Sequence, residues 1–147
     1  MSTPIEFFVP GIPAPGGSKR FVGFGKQTGR AILIDAAGQR NKDWRSAVGW
    51  AAREVFKGEL LRGPLKVSMS FIMPRPKSHY HQGKKRKGEL REDAPLVHTS
   101  KPDALKLGRS TEDALTGIVW ADDSQTCELH LTKNYGTPGC LIVITEL

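Results

Sequence analysis

Apolar side chains occupy every second position from Leu65 to Met73, and this alternation constrains the fold more than any other feature. Lysine or serine fills three of the intervening positions, so one face of an extended segment is apolar and the other is largely polar. Pro74 and Pro76 follow directly, and proline removes the backbone donor that a central strand needs. The segment is therefore predicted to be a half-buried β-strand that stops at Met73.

Two helices are predicted from the spacing of apolar residues. The first spans Asp43 to Phe56, where one apolar stripe recurs at helical spacing: Trp44, Ala47, Val48, Ala51 and Val55. This stripe places Trp44 in the core rather than against a ligand. The second helix spans Pro102 to Leu115, with Gly117 as its stop signal. Gly108 costs about 1 kcal/mol relative to alanine, so the second helix is expected to depend on tertiary contacts.

Further strands are predicted on both sides of these helices. They are Ile5–Val9, a hairpin within Phe21–Ile34, Thr126–Thr132 with Cys127, Leu129 and Leu131 facing inward, and the apolar run Cys140–Ile144. If the last two strands form a hairpin that turns near Tyr135 to Pro138, Cys127 and Cys140 do not face each other. The order of elements predicts an α+β fold, with two main helices packed on one mixed β-sheet.

Length and charge limit the classes of function. The 147 residues fit a single domain, taken as 1–147, and the formal net charge is +7. Between Arg62 and Arg109 there are twelve Lys or Arg against four Asp or Glu. A basic excess confined to one third of a chain favours a polyanionic partner over a merely solvated loop. The sequence shows neither a signal peptide nor an apolar run long enough to cross a membrane. Both cysteines are predicted to be reduced thiols, and together these features lead us to expect a cytoplasmic location.

The segment 77–97 has no apolar period and is predicted to be a basic, mobile loop. Its densest charge is the run Lys84-Lys85-Arg86-Lys87. A run of like charges is usually only solvated, but this one precedes a group of acids, which favours contact with a DNA backbone.

The stretch from Lys101 to Gln125 carries the candidate chemistry. Asp103 opens the second helix, and the pair Asp122-Asp123 follows beyond a short turn. If the next strand runs back beside the start of the helix, Asp103 meets Asp123. Adjacent carboxylates repel each other unless a hard cation joins them, and Mg²⁺ prefers oxygen ligands. The competing interpretation is an ordinary turn at Asp122-Asp123 with Asp103 as a helix cap.

Two basic residues of the second helix accompany these acids. Lys106 shares a helix face with Asp103, Ser110 and Asp113, whereas Arg109 shares the neighbouring face with Leu105. Either cation would stabilise the charge that develops at a phosphate.

These motifs resemble the RusA family of Holliday junction resolvases, which is common in phages and prophages. The family pattern is Lys-Pro-Asp, any residue, Asp, then Asn or Lys, Leu, any residue, and Lys or Arg, followed later by Asp-Ala-Leu and finally by Asp-Asp-Ser-Gln. Matching residues here are Lys101-Pro102-Asp103, Lys106-Leu107, Arg109, Asp113-Ala114-Leu115 and Asp122-Asp123-Ser124-Gln125. Four upstream segments are also similar to phage members of the family: Pro13-Ala14-Pro15, Gly17-Ser18-Lys19-Arg20, Trp44-Arg45 and the run from Met73 to Tyr80.

The resemblance implies a homodimeric endonuclease, dependent on Mg²⁺ with Mn²⁺ as an alternative, that nicks a four-way DNA junction symmetrically during phage recombination or repair. By position, Asp103 and Asp123 would be metal ligands, with Asp122 beside them. Arg109 falls where the family has a basic residue that assists at the phosphate; arginine is a poor proton donor, so its role would be electrostatic. Residues expected to contact DNA are Lys19, Arg20, Arg75, Lys77, Lys84, Lys85, Arg86, Lys87, Lys101 and Lys106.

Leu105 departs from the family pattern, because the family has its second metal carboxylate at this position. Leucine cannot bind Mg²⁺ and removes one negative charge. Three interpretations remain: a natural homologue with impaired activity, a variant engineered to be inactive, or a site in which Asp122 or Asp113 substitutes. The functional alternatives are accordingly an active junction resolvase, a catalytically inactive protein that binds branched DNA, and a basic scaffold with no preference for junctions.

Overall fold

The computed structural model describes residues 3–16, 19–35 and 38–147, and only the backbone of 19–22 and 32–35. Its strands are β1 (Ile5–Pro10), β2 (Lys19–Phe24), β3 (Ala31–Asp35), β4 (Leu65–Met73), β5 (Thr126–Tyr135) and β6 (Gly139–Glu146). Its helices are α1 (Gly38–Val55) and α2 (Ala104–Leu115). The predicted α+β class is confirmed, and the predicted hairpin within Phe21–Ile34 is present as the pair β2 and β3.

The main sheet has four strands in the order β1-β6-β4-β5. β6 runs antiparallel to both β1 and β4, whereas β4 and β5 are parallel, so the sheet is mixed as expected. The conditional hairpin between the last two strands is wrong, because β4 lies between β5 and β6 in the sheet. Cys127 and Cys140 are both free thiols.

Both helices pack their apolar sides on this sheet. From α1, Trp44, Val48 and Ala52 are buried, which confirms Trp44 as a core residue, while Val55 at the helix end is 48% exposed. Leu107 and Leu115 anchor α2, and each such buried side chain contributes about 1.5–3 kcal/mol. No helix in the described part of the chain could span a membrane.

β5 lies at one edge of the main sheet, and this position changes the environment of its apolar side chains. The prediction that Cys127 and Leu129 face inward is wrong, since both are exposed; Leu131 is half-buried. The contact of Leu131 with α2 also explains Gly108. A Cβ at Gly108 would lie 2.8 Å from Leu131 Cδ1, so glycine allows the helix to approach the strand closely.

The segment 77–97 has no long regular element, but backbone contacts organise it. A short 3₁₀ turn spans Lys77–His79, and Tyr80 forms an isolated antiparallel bridge with Leu90. Arg75 attaches the segment to β5: its guanidinium lies 4.4 Å from the centre of the Tyr135 ring, and its Nη1 donates to the Pro95 carbonyl at 2.7 Å. The mobility of this segment stays a prediction.

Candidate active site

Asp103 lies at the N-cap position of α2, in extended backbone conformation with φ −69° and ψ 145°. The helix therefore begins at Ala104, two residues after the predicted start at Pro102. The Asp103 side chain makes no capping hydrogen bond, and its Oδ2 lies 4.0 Å from Lys106 Nζ. The interpretation of Asp103 as a side-chain cap is thus not supported, and its carboxylate is exposed to solvent.

Asp123 lies at the other end of α2, in the 3₁₀ turn Asp123–Gln125. It is half-buried, and its Oδ1 accepts a hydrogen bond from the hydroxyl of Thr116, the residue that ends the helix. The same hydroxyl accepts a hydrogen bond from the buried Trp120 indole nitrogen at 2.9 Å. The position of Asp123 is therefore fixed by the core beneath it.

Three carboxylates meet at this end of the helix. Burial, and then the charges of Asp123 and Asp113, raise the pKa of Glu112. Partial burial and contact with Asp123 likewise raise the pKa of Asp113, against the lowering effect of Arg45 and Arg109. Carboxylates placed this close repel one another, and a nearby cation relieves that repulsion. We call Glu112, Asp113 and Asp123 the acidic cluster.

Asp103 does not belong to the acidic cluster within one chain. The span of α2 from Asp103 to Asp113, at about 1.5 Å per residue, is about 15 Å. Contacts with β5 also place the two acids apart. Lys133, near the end of β5, donates from its Nζ to the Pro102 carbonyl at 2.9 Å, whereas Asp123 lies close to Thr126 at the start of the strand. The expectation that the following strand brings Asp123 back to Asp103 is therefore wrong, because β5 starts at the far end of α2.

Asp122 has a structural role at the start of the same turn. Its Oδ1 accepts a hydrogen bond from the Ser124 backbone nitrogen at 2.8 Å, and this hydrogen bond holds its pKa below the usual range. The Gln125 side chain returns the contact by accepting from the Asp122 backbone nitrogen at 2.8 Å, which completes a capping box. Gln125 also donates to the carbonyls of Leu61 and Gly63, both at 2.9 Å.

Arginines from both helices face the acidic cluster. Arg109 lies one turn before Asp113 on α2, and Arg45 approaches from α1; both act on the charge of Asp113. Lys106 lies instead with Asp103 at the opposite end of the helix. The structure thus pairs Arg109, but not Lys106, with the acidic cluster.

The basic run in segment 77–97 is not uniform. Arg86 forms ion pairs with Glu89 at 2.9 Å and Glu92 at 2.6 Å, and these partners raise its pKa. The three lysines of the run are exposed and, among the described residues, have no carboxylate within 4.0 Å. The lysines are therefore the free cations, whereas Arg86 holds the segment together.

The other residues expected at DNA differ in exposure. Lys77 and Lys101 are exposed, and Arg75 is half-buried in its contacts with Tyr135 and Pro95. The side chains of Lys19 and Arg20 lie outside the described residues; their backbone forms the start of β2.

Comparison with known proteins identifies the family. The sequence profile described as endodeoxyribonuclease RusA matches residues 10–145. The chain belongs to the RusA endodeoxyribonuclease family. It is also similar to the uncharacterized protein YqaN of Bacillus subtilis (strain 168), at 28% identity over 144 residues, which cover 97% of this chain and 96% of that protein. Membership in the RusA family implies a nuclease that acts on Holliday junctions.

The oxygen ligands available to a metal in this RusA family member fall in two places. Among the described residues, no group of three or more His, Cys, Asp or Glu side chains is placed to hold a metal ion. Asp113 and Asp123 still offer adjacent carboxylates, and Mg²⁺ is often held by one or two carboxylates together with phosphates of the substrate. The chemistry of this pair therefore fits a hard divalent cation that binds together with DNA.

Two residues of the site were missed by sequence reasoning. Glu112 adjoins Asp113, and its acidity was a usable signal once α2 was placed. Arg45 lies on the other helix, and no local pattern indicates that α1 brings it to α2. Only the packing of the two helices shows that contact.

Proposed function

We propose that this protein is a structure-selective, divalent-metal-dependent endonuclease that cleaves four-way DNA junctions. The observation that carries the proposal is the acidic cluster facing Arg109 and Arg45, in a chain of the RusA family. Carboxylates supply the ligands for a cation, and fixed guanidinium groups supply positive charge beside a phosphate. Phosphodiester hydrolysis requires both.

Each residue has a role in this proposal. Asp123 and Asp113 would hold a Mg²⁺ or Mn²⁺ ion, which when bound lowers the pKa of water and neutralises phosphate charge. Arg109 is permanently charged, so it stabilises the phosphate electrostatically rather than by proton transfer. The Thr116 hydroxyl orients the Asp123 carboxylate. Asp122 maintains the turn, because its side chain accepts a hydrogen bond from a backbone nitrogen, and it does not bind the ion.

A second copy of the chain is needed for Asp103 to reach the acidic cluster. The outer edge of β5 is unpaired over most of its described length, and Leu129 on this strand and Leu105 on α2 are both exposed. Two copies related by a two-fold axis through the middle of β5 would run antiparallel. The partner's Asp103 would then approach Asp123, and the partner's basic segment 77–97 would extend the DNA surface around each site.

The experiment that tests this function is cleavage of a labelled four-way junction and of a duplex of the same sequence, with Mg²⁺, Mn²⁺ or EDTA. We expect the junction to be bound more tightly than the duplex and nicked only with metal. Asp123→Asn should reduce cleavage by more than the roughly 10–100-fold cost of losing an outer-shell partner, with junction binding retained. Asp122→Asn, whose side chain also caps a turn, is the matched control and should stay within a few-fold of the parent.

The shared site has its own test, which is complementation between two variants. Asp103→Asn and Asp123→Asn chains are each inactive alone, but in a mixture the mixed dimers contain one intact site. About a quarter of the sites should then be active after subunit exchange. If Asp103 and Asp123 act within one chain, the mixture stays inactive. A monomer in light scattering at micromolar concentration contradicts the dimer directly.

A second candidate function is favoured by Leu105, which is 76% exposed at the start of α2. Its side chain has no oxygen that could bind a metal ion beside Asp103. The protein would then bind branched DNA without cutting it, and junction binding without cleavage in any metal would identify this case.

A further inference from the structure

Trp50 differs from the other two tryptophans of the chain. Trp44 and Trp120 are buried in the core, whereas Trp50 is 67% exposed on the outer side of α1. Indole is large and mostly apolar, so full exposure of its face to water is unfavourable. An exposed tryptophan beside cationic side chains is typical of surfaces that stack nucleobases.

A groove of about 440 Å³ lies in front of Trp50, between the second half of α1 and the end of α2. This volume is within the range of about 300–1,000 Å³ for sites that hold small organic molecules. Its walls include Arg45, Trp50 and Arg53 from α1, and Asp113, Thr116 and Ile118 from the end of α2 and the turn after it.

Gly49 lines this groove close to the side chains of Arg53 and Ile118. A Cβ at Gly49 would lie 3.4 Å from both Arg53 Nη1 and Ile118 Cδ1. The guanidinium of Arg53 therefore folds back along α1 over the glycine and faces Ile118 across the groove. An alanine methyl group at position 49 would therefore only just fit between these two side chains.

The charge of the groove favours an anion on the α1 side. Within the described part of the chain, neither Arg45 nor Arg53 has a carboxylate oxygen within 4.0 Å. Asp113 lies on the opposite wall, so a ligand made only of phosphate would be attracted by one wall and repelled by the other. A nucleotide matches this arrangement, because its phosphates can face the arginines while its uncharged base lies between the indole and the wall that carries Asp113.

The groove is also continuous with the proposed cleavage site. Asp113 and Thr116 line the groove, and both contact Asp123 of the acidic cluster. A nucleotide bound in the groove would therefore neighbour the phosphate at the acidic cluster. Duplex DNA keeps its bases stacked, but a branch point supplies unpaired or weakly paired bases at low cost.

We propose that this groove binds one unpaired nucleotide of branched DNA, with its base on Trp50 and its flanking phosphates on Arg45 and Arg53. This inference rests on the proposed function, since branched DNA is the shared substrate. It assigns a role to α1 that the motifs of α2 and β5 do not contain. A protein partner or a second copy of the chain would be the other occupants of such a surface.

The test is the affinity of Trp50→Ala for three labelled probes without metal: a four-way junction, a single strand of thymidines and a blunt duplex. We expect the loss of one base stack to weaken binding of the junction and the single strand by about tenfold, and of the duplex by less than twofold. Trp50→Phe keeps an aromatic face and should stay within about threefold of the parent. Val55→Ala, an exposed truncation on the same helix, is the matched control and should change nothing.

The outcomes separate this inference from the proposed function. If the parent prefers junctions but Trp50→Ala binds all probes normally, the nucleotide groove is wrong and the junction nuclease stands. If the parent shows no junction preference but its single-strand affinity depends on Trp50, the groove stands and the proposed function fails. If Trp50→Ala changes the oligomeric state in light scattering but not DNA affinity, the surface is a subunit interface and the inference is overturned.

Discussion

Replacement of Leu105 with aspartate tests the site without disturbing the fold. Leu105 is 76% exposed, so only about a quarter of its side chain is buried. If full burial of a leucine contributes about 1.5–3 kcal/mol, removing this buried part lowers the unfolding free energy by about 0.4–0.7 kcal/mol. The first turn of α2 has no acidic residue, and adding one there contributes about 0.3–1 kcal/mol through the helix dipole. The lower helix propensity of aspartate costs about 0.5 kcal/mol. The net change in unfolding free energy is therefore expected to stay within about 1 kcal/mol.

Cleavage should respond far more than stability. An acid at position 105 places a second carboxylate near Asp103, which would complete the metal site that the RusA family pattern contains. We expect Leu105→Asp to increase the rate of junction cleavage in Mg²⁺ by about 100-fold or more, equivalent to about 3 kcal/mol of activation free energy. Junction affinity without metal should fall slightly, because a negative charge has been added near phosphate.

Two control variants separate charge from shape. Leu105→Asn has nearly the shape of aspartate but no charge, and Leu105→Ala removes the side chain; neither should gain activity. Urea unfolding of all three variants and light scattering establish that the fold and the oligomeric state are retained. The reasoning is refuted if the parent chain already cleaves junctions rapidly and the aspartate variant, folded and of the same oligomeric state, is no faster.

Three further predictions concern the basic run, the thiols and a buried histidine. Replacing the three lysines of the run Lys84–Lys87 with alanine should flatten the slope of log binding constant against log salt concentration on duplex DNA by up to about 2.7. Arg86→Ala should change that slope by less than about 0.9, because Arg86 is already paired with Glu89 and Glu92. A thiol reagent should label only the exposed Cys127 in the native protein and both cysteines in urea, since burial raises the pKa of Cys140 to about 12. Burial, and then the charge of Lys133, lower the pKa of His98 in the folded protein, so at mildly acidic pH the unfolded chain binds a proton that the folded chain does not. The urea midpoint should therefore fall as the pH drops below about 6.5, and it should fall less in His98→Gln.

Local sequence patterns predicted most of the elements but not their pairing. The alternation from Leu65 to Met73 and the stripe around Trp44 are recorded in neighbouring residues, and both elements formed as expected. The position of β4 between β5 and β6 depends on pairing between distant segments, and no local signal specifies it. The burial of Leu129 failed for the same reason, because alternation identifies the faces of a strand but not whether a neighbour covers its edge.

The candidate site shows the same limit at the level of chemistry. Spacing correctly placed Asp103 before a helix and Asp123 after it, but spacing does not state the direction in which the chain leaves that helix. Because β5 starts beside Thr116 and runs parallel to β4, the two acids lie near opposite ends of α2, whose span from Asp103 to Asp113 is about 15 Å. A motif whose acids lie at opposite ends of one rigid helix gains a single site only when a second helix runs antiparallel beside it. If Asp103 and Asp123 share one site, as we propose, the second acid therefore comes from a two-fold partner of this RusA family member.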